Sequence, residues 1–376
     1  MRDRRISGRL RAVLIAAAFA LVAVGGLSSA RLDTLAPVTA AEYAATLPAA
    51  DRARLEAAVA FAADSDRTRS LVVWHAGEPV VEAHFHGQLG VAPQNLKSIT
   101  KTLNSLLVGI AIDRGEIAGV DDPVARYLPE RFAAARDPKA RSITIRQLLT
   151  MSSGLDPVGY GTFQESADWS AALLDQPVVR KPGSEFLYDT PVTHLLSELV
   201  ARVSGGDLVA YANRHLLEPI DAHIDTWRRG PGGVEMGGND AYLRADHLAK
   251  LGELVRRGGV WNGERVISSR WLEQSLARQI EPADPTINHG TVPVGGYGFL
   301  WWLIELGGEP GVAALGHGGQ YLVILPAREL VIVVTSHWPG PSSVEHYRHL
   351  RRLFDEHLVP AFPRAAANAD LPAGRP

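Results

Sequence analysis

Cysteine is absent from the 376-residue chain, which removes disulfides, thiol catalysis and cysteine-ligated metals together. Lysine is scarce: apart from Lys97, Lys101, Lys139, Lys181 and Lys250, arginine supplies the rest of the 38 basic side chains. No long basic run follows the first residues and the formal net charge is −3, so nucleic acid is not an expected partner. No strand–Gly-x-Gly-x-x-Gly–helix arrangement offers a phosphate cradle, and no Gly-x-Ser-x-Gly elbow offers the α/β-hydrolase nucleophile. No His-Glu-x-x-His is present either; His346 and His349 share a helix face with His357 further on, but in Arg-rich, solvated surroundings. Neither a metal nor a cofactor is expected.

Charge is also missing from Ala12 to Ala30, directly after Arg2, Arg4, Arg5, Arg9 and Arg11. A basic segment, an alanine-rich run and small residues at its end read as a secretory signal over residues 1–30, cut after Ala30. The strongly apolar part, Ala12 to Leu27, is short beside the roughly 20 residues of a spanning helix; an uncleaved membrane anchor is the alternative. Either way the globular part is expected outside the cytoplasm, periplasmic or secreted. Residues 31–48 read as a linker and 363–376 as a disordered tail.

What the chain does have is an apolar helix beginning at Ser98-Ile99-Thr100-Lys101. Leu103, Leu106, Leu107, Val108, Ile110, Ala111 and Ile112 follow with few polar breaks, the pattern of a helix inside a domain. Gly115 after Arg114 marks its stop. Ser98 falls in the first turn, where unpaired N–H groups favour an anion. Lys101, three residues on, shares its face. A desolvated lysine can lose its charge and accept a proton, which arginine cannot, so Ser98 is a candidate nucleophile and Lys101 its candidate base. Two plainer readings stay open on the tetrad alone: Ser98 caps the helix, and Lys101 snorkels or pairs with a carboxylate.

Along the rest of the chain, Ala50 to Ala63 reads as a helix. Ser70–Trp74 and Pro79–Phe85 alternate around His75-Ala76-Gly77-Glu78 as a hairpin. Thr144 to Met151, Asp168 to Leu174, Pro191 to Val203 and Leu208 to Leu217 read as helices, with Gly154 to Glu165 a loop. Arg244 to Arg257 and Ser268 to Arg278 return to helix. Three strand-like runs follow, Tyr297 to Glu305, Val312 to Leu325 and Glu329 to His337, before a last helix from Ser342 to Leu358. Strands at both ends with helices between imply an α/β sheet domain over 49–120 and 241–362, and a mainly helical insertion over 121–240.

Two further places invite chemistry. Tyr188, in Phe186-Leu187-Tyr188-Asp189-Thr190-Pro191, taken alone reads as a core tyrosine at a helix start. Gly316-His317-Gly318-Gly319-Gln320 interrupts a strand with glycines, which marks a bulge or a place where something approaches the backbone closely, as an oxyanion hole or docking edge requires.

In order and spacing, Ser98-x-x-Lys101, Tyr188-Asp189-Thr190 and His317-Gly318-Gly319 resemble the serine β-lactamase-like, penicillin-binding-protein-like hydrolases. The nearest branch holds class C β-lactamases, D-Ala-D-Ala carboxypeptidases, esterases and 6-aminohexanoate-dimer hydrolases. Gln147 to Leu155 and Pro182-Gly183-Ser184 extend the likeness, which runs from about Ser70 to Leu358. The resemblance implies a β-lactamase-like α/β (α+β) fold, with an antiparallel sheet from both termini flanked by helices. It also implies Ser98 as nucleophile, Lys101 and Tyr188 as the proton-transfer pair, and the N–H groups of Ser98 and Gln320 as the oxyanion hole. His317, Gly318 and Gly319 then contact substrate. Thr190 stands where the family has asparagine and His317 where it has lysine; both departures weaken penicillin recognition and leave acyl transfer intact. The expected activity is hydrolysis of a small ester, amide or short peptide. D-Ala-D-Ala carboxypeptidase or β-lactamase action is the alternative, and a non-catalytic binder of peptides or cell-wall fragments lies outside the class. Tyr160, Phe163, Trp227, Tyr297 and Trp301 are candidates for an aromatic wall.

Overall fold

Two distant β-branched stretches supply one seven-stranded antiparallel sheet. The computed structural model describes residues 48–282, 292–338 and 343–362; the expected signal or anchor, nearly all of the linker, and the tail lie outside them. Strands β1 (Thr68–His75) and β2 (Glu78–His84) form the expected hairpin. Ala76 and Gly77 close it with φ of 53° and 92°, the positive pair that a tight two-residue turn between right-twisted strands demands. The remaining strands are β3 (Val294–Tyr297), β4 (Trp302–Leu306), β5 (Glu309–Gly316), β6 (Gln320–Leu325) and β7 (Leu330–Ser336), in the order β2-β1-β7-β6-β5-β4-β3. The first strand therefore pairs with the last, Leu71 opposite Val334 and Val73 opposite Ile332, so the sheet is built from both ends of the chain.

Every residue of β6 and β7 is buried, because helices cover both faces. Helix α1 is Ala49–Ala63, α2 is Ile99–Asp113, α3 is His194–Ser204, α4 is Ala245–Arg256 and α5 is Val344–Arg352. Alternation along a strand sends successive side chains to opposite faces. Leu322 and Val331 meet α4 at Gly252, where a Cβ would come within 2.6 Å of either. Tyr321 points the other way, its ring 5.7 Å from that of Phe354 in the turn following α5; α1 packs on that same segment.

Two strand-like runs divide, the first unexpectedly and the second at the glycine interruption that the sequence marks. Tyr297–Glu305 breaks at Gly298–Trp301, where Leu300 adopts φ 62° and donates its N–H to Leu149 O at 2.9 Å. Val312–Leu325 is two strands joined by the turn His317-Gly318-Gly319, with Gly316 opposite Gln320. The segment read as a loop from Gly154 contains a short helix, Tyr160–Glu165.

Between Asp121 and Asp240 the regular elements are helices and helical turns, apart from the strand Thr226–Trp227. Thr144 and Gln147 form a capping box, the Asp168 side chain caps Ala171, and Pro191 opens the turn that continues into α3. Thr226–Trp227, Ala241–Leu243 and Gln94–Asn95 make a small three-stranded sheet. That sheet ties the approach to α2 to the segment after Gly237-Gly238-Asn239. Among the described residues no helix is long and apolar enough to cross a membrane.

Candidate active site

Residues Ile99 to Ala111 of α2 are all buried, between strands β5 and β6 and helix α3. Its entry is held from several sides. Leu96 N–H donates to Ala241 O at 2.9 Å, Lys97 N–H to Asn95 Oδ1 at 2.8 Å, and Ala241 N–H to Thr100 Oγ1 at 3.2 Å. Lys97 takes φ 50°, a left-handed turn that delivers Ser98 to the helix N-terminus. Strand β5 reaches the same backbone at Gly316, where any Cβ would lie 2.5 Å from Leu96 O. Only glycine allows the strand end so close.

Ser98 makes no side-chain capping bond to its helix, so its hydroxyl is not spent as the cap that residue types alone allowed. Lys101 Nζ stands 2.9 Å from Ser98 Oγ and 2.7 Å from Gly238 O. The lysine is 1% exposed and therefore does not snorkel. Burial pulls it down from 10.5 to about 7, with nearby Asp189 partly opposing. Burial likewise pushes Asp189 up to about 6, with Lys101 opposing. The ring of Tyr188 lies 5.0 Å from Lys101 Nζ and stacks on Trp302 at 5.6 Å. Its hydroxyl is pushed up to about 12 by burial, partly offset by a hydrogen bond with Ser98. Tyr188, distant in sequence, here meets Ser98 and Lys101 on one helix turn.

This set can divide acid from base work. At a pKa of about 7 roughly half of Lys101 is neutral at pH 7. One N–H of that amine binds Gly238 O, leaving its lone pair for the Ser98 proton. Tyr188 stays protonated and suits handing a proton onward.

A cleft of about 260 Å³ opens beside these groups, lined by Ser98, Tyr160, Tyr188, Thr190, Asn239, Trp302, Leu315 and His317. His317 is exposed, its ring edge-on to Trp338 at 4.8 Å. Gly318, Gly319 and Gln320 are buried in the turn beside it. Gly318 N–H donates to Tyr347 Oη at 3.0 Å, and Gly319 O accepts from Ser336 Oγ at 2.9 Å. Of the expected aromatic wall, Tyr160 lines the cleft; Phe163, Trp227, Tyr297 and Trp301 belong to the core. Trp302, the first residue of β4, lines the cleft instead, while Trp301 is buried in the break just before the strand.

Sequence reasoning missed Trp302, Asp189, Asn239 and the Gly238 carbonyl. Only the Gly-Gly-Asn loop carried a signal, glycines that permit close backbone approach, and nothing tied it to Ser98. The clustered histidines have other partners. His346 bonds Ser65 and Ser336, while His349 and His357 lie on Phe61 at 4.2 and 4.4 Å. No metal-holding group of three such side chains occurs among the described residues.

A model of the Beta-lactamase family matches residues 57–356. The 6-aminohexanoate-dimer hydrolase of Paenarthrobacter ureafaciens is 29% identical over 353 residues, 86% of this chain and 87% of that protein. Esterase EstB of Burkholderia gladioli is 30% identical over 222 residues, 52% of this chain and 54% of the esterase. The crystal structure of a family VIII carboxylesterase superposes with a TM-score of 0.64 at 19% identity, covering 83% of this chain and 99% of the esterase.

Proposed function

The chain belongs to the Beta-lactamase family and is a serine hydrolase, and on that premise we propose that it cleaves a small ester or amide through an acyl-enzyme on Ser98. Neutral Lys101 takes the hydroxyl proton as Ser98 Oγ attacks the carbonyl carbon. The N–H groups of Ser98 and Gln320 hold the tetrahedral oxyanion. Tyr188 passes a proton to the departing alcohol or amine and recovers one from Lys101. Water then attacks the acyl carbon along the same route in reverse, releasing the acid and restoring Ser98.

One observation carries this reading: the amine of a fully buried lysine, 2.9 Å from the Ser98 hydroxyl, with its pKa lowered by burial to about 7. Esters and simple amides are favoured over penicillins because Thr190 and His317 line the cleft. Neither offers a carboxylate the constant charge of a lysine, as neutral imidazole is uncharged. The basic and then apolar sequence of residues 1–30 supports action outside the cytoplasm.

A fluorophosphonate probe should label the wild type and spare Ser98→Ala, and p-nitrophenyl butyrate should be turned over by the wild type alone. Unlabelled, inactive wild type overturns the reading. Nitrocefin turnover, or release of D-alanine from a muropeptide, would move the substrate to the β-lactam and cell-wall class.

A further inference from the structure

Trp302 lines the cleft, yet it is only 3% exposed, because other rings surround it. Tyr297 meets it at 4.6 Å and Phe186 at 6.0 Å, both steeply tilted to the indole, and those two rings meet each other at 5.0 Å. Tyr188 instead stacks on the indole, 5.6 Å away with 26° between the planes. Edge contacts and offset stacks are the arrangements that aromatic pairs prefer, so Phe186 and Tyr297 brace the indole while it carries the Tyr188 ring.

The indole is also tied to the helix that bears the nucleophile. Thr102, one turn after Ser98 on α2, donates its hydroxyl to Leu300 O at 2.9 Å. Leu300 N–H donates to Leu149 O at 2.9 Å, so the break before β4 is held from two sides, and Trp302 follows two residues later. Tyr188 sits on plainer backbone. Phe186 to Asp189 is neither helix nor strand, although Leu187 N–H donates to Met151 O at 2.8 Å. Two rotatable bonds separate the ring from that backbone, so what the ring packs against decides where its hydroxyl stands. That hydroxyl hydrogen-bonds with Ser98, and the ring centroid lies 5.0 Å from Lys101 Nζ.

We propose that Trp302 is a positioning residue for the reaction, its ring keeping the Tyr188 phenol where it can protonate the departing group. This rests on the acyl-enzyme reading above, in which Tyr188 hands that proton on and recovers one from Lys101. A misplacement of about 1 Å costs about 10²-fold in such a step. The loss depends on the leaving group. p-Nitrophenolate departs as a stable anion and leaves the Ser98 proton on Lys101, whereas an alkoxide must take a proton from Tyr188.

The test follows kcat/KM, which reports acylation, for p-nitrophenyl, phenyl and trifluoroethyl butyrate. The three share an acyl group and rise in leaving-group basicity. Trp302→Leu should lose about 10- to 100-fold on the trifluoroethyl ester but stay within about threefold on the p-nitrophenyl ester, with the phenyl ester between. Trp302→Phe, which keeps an aromatic face, should recover most of that loss. In a Tyr188→Phe background Trp302→Leu should cost no more than about threefold on any of the three, since its effect runs through the phenol. Should Trp302→Leu not fold, Thr102→Val, which releases Leu300 O, should give the same order of losses on a smaller scale. Unchanged turnover of the trifluoroethyl ester in a folded variant overturns the proposal. So does a loss equal on all three esters, or one largest on the p-nitrophenyl ester, as a ring that merely binds substrate would give. Wild-type turnover keeps the acyl-enzyme reading standing in each of those cases. Wild type that neither hydrolyses the esters nor takes the fluorophosphonate overturns both.

Discussion

The pH profile of ester hydrolysis tests the assignment of the base. An ordinary lysine near 10.5 would be neutral in only about 0.03% of molecules at pH 7, whereas one lowered to about 7 is neutral in roughly half. The sign follows from the role: the base works deprotonated, so kcat/KM should rise as pH rises through about 7 and level above it. No falling limb is expected below pH 10, since Tyr188 stays protonated up to about 12. Asp189, pushed up to about 6, titrates beside the lysine, so the limb belongs to the pair. Asp189 raises the lysine's pKa; Asp189→Asn should therefore move the limb to lower pH, extending the plateau on the acid side. The assay is initial-rate hydrolysis of p-nitrophenyl acetate from pH 5 to 9.5, followed at a wavelength insensitive to nitrophenol ionisation. A profile flat down to pH 5, a limb near 10, or a limb moved upward in Asp189→Asn would refute the argument.

Lys101→Arg keeps the charge but cannot deprotonate, so ester turnover should fall by about 10²- to 10⁴-fold; wild-type rates in a folded variant would remove Lys101 from the proton path. Lys101→Met should raise stability. The folded pKa of about 7 lies below the unfolded 10.5, a penalty of up to about 5 kcal/mol that is full below pH 7 and fades toward pH 10.5. Urea melts should thus show a larger gain at pH 6 than at pH 10. Tyr188→Phe should cut kcat by about 10²-fold or more while the melting temperature changes little, and an unaltered kcat would exclude the phenol from proton transfer. In Gly316→Ala the new Cβ would press on Leu96 O, costing about 1–3 kcal/mol and displacing the Ser98 turn; circular-dichroism melts and fluorophosphonate labelling should both report the loss.

What could be read in advance was local or marked by a motif. Ser98 and Lys101 lie three apart on one helix, so periodicity alone set them side by side, while the apolar run left open whether the lysine's amine is buried or snorkels. The hairpin at Ala76-Gly77 and the helix beginning at Thr144 were legible because a few neighbouring residues decide them. Tyr188 and His317 could be placed only by resemblance, since folding over long separations brings them together. Trp302 was out of reach because nothing in the sequence tells which of Trp301 and Trp302 opens β4; the break at Gly298–Trp301 decides it. The Gly238 carbonyl was illegible for a stronger reason: a backbone oxygen has no residue type to announce it.

The two plainer readings of the Ser-x-x-Lys tetrad fail for a shared physical cause. A capping serine would spend its oxygen on a backbone N–H of its own helix, yet Ser98 makes no such bond. A snorkelling lysine would carry its amine to water, yet Lys101 is 1% exposed. Both polar groups are turned from their commoner partners toward each other, with Gly238 O as the remaining acceptor for the amine. A carbonyl can hold one N–H of a neutral amine but cannot neutralise an ammonium, and Asp189, itself pushed toward protonation, opposes the lowering only in part. The surroundings therefore favour an uncharged lysine over a well-paired cation. A helix stabilised by its other buried residues can carry that cost, which explains how so rare a side chain in this arginine-rich protein sits at a fully buried position.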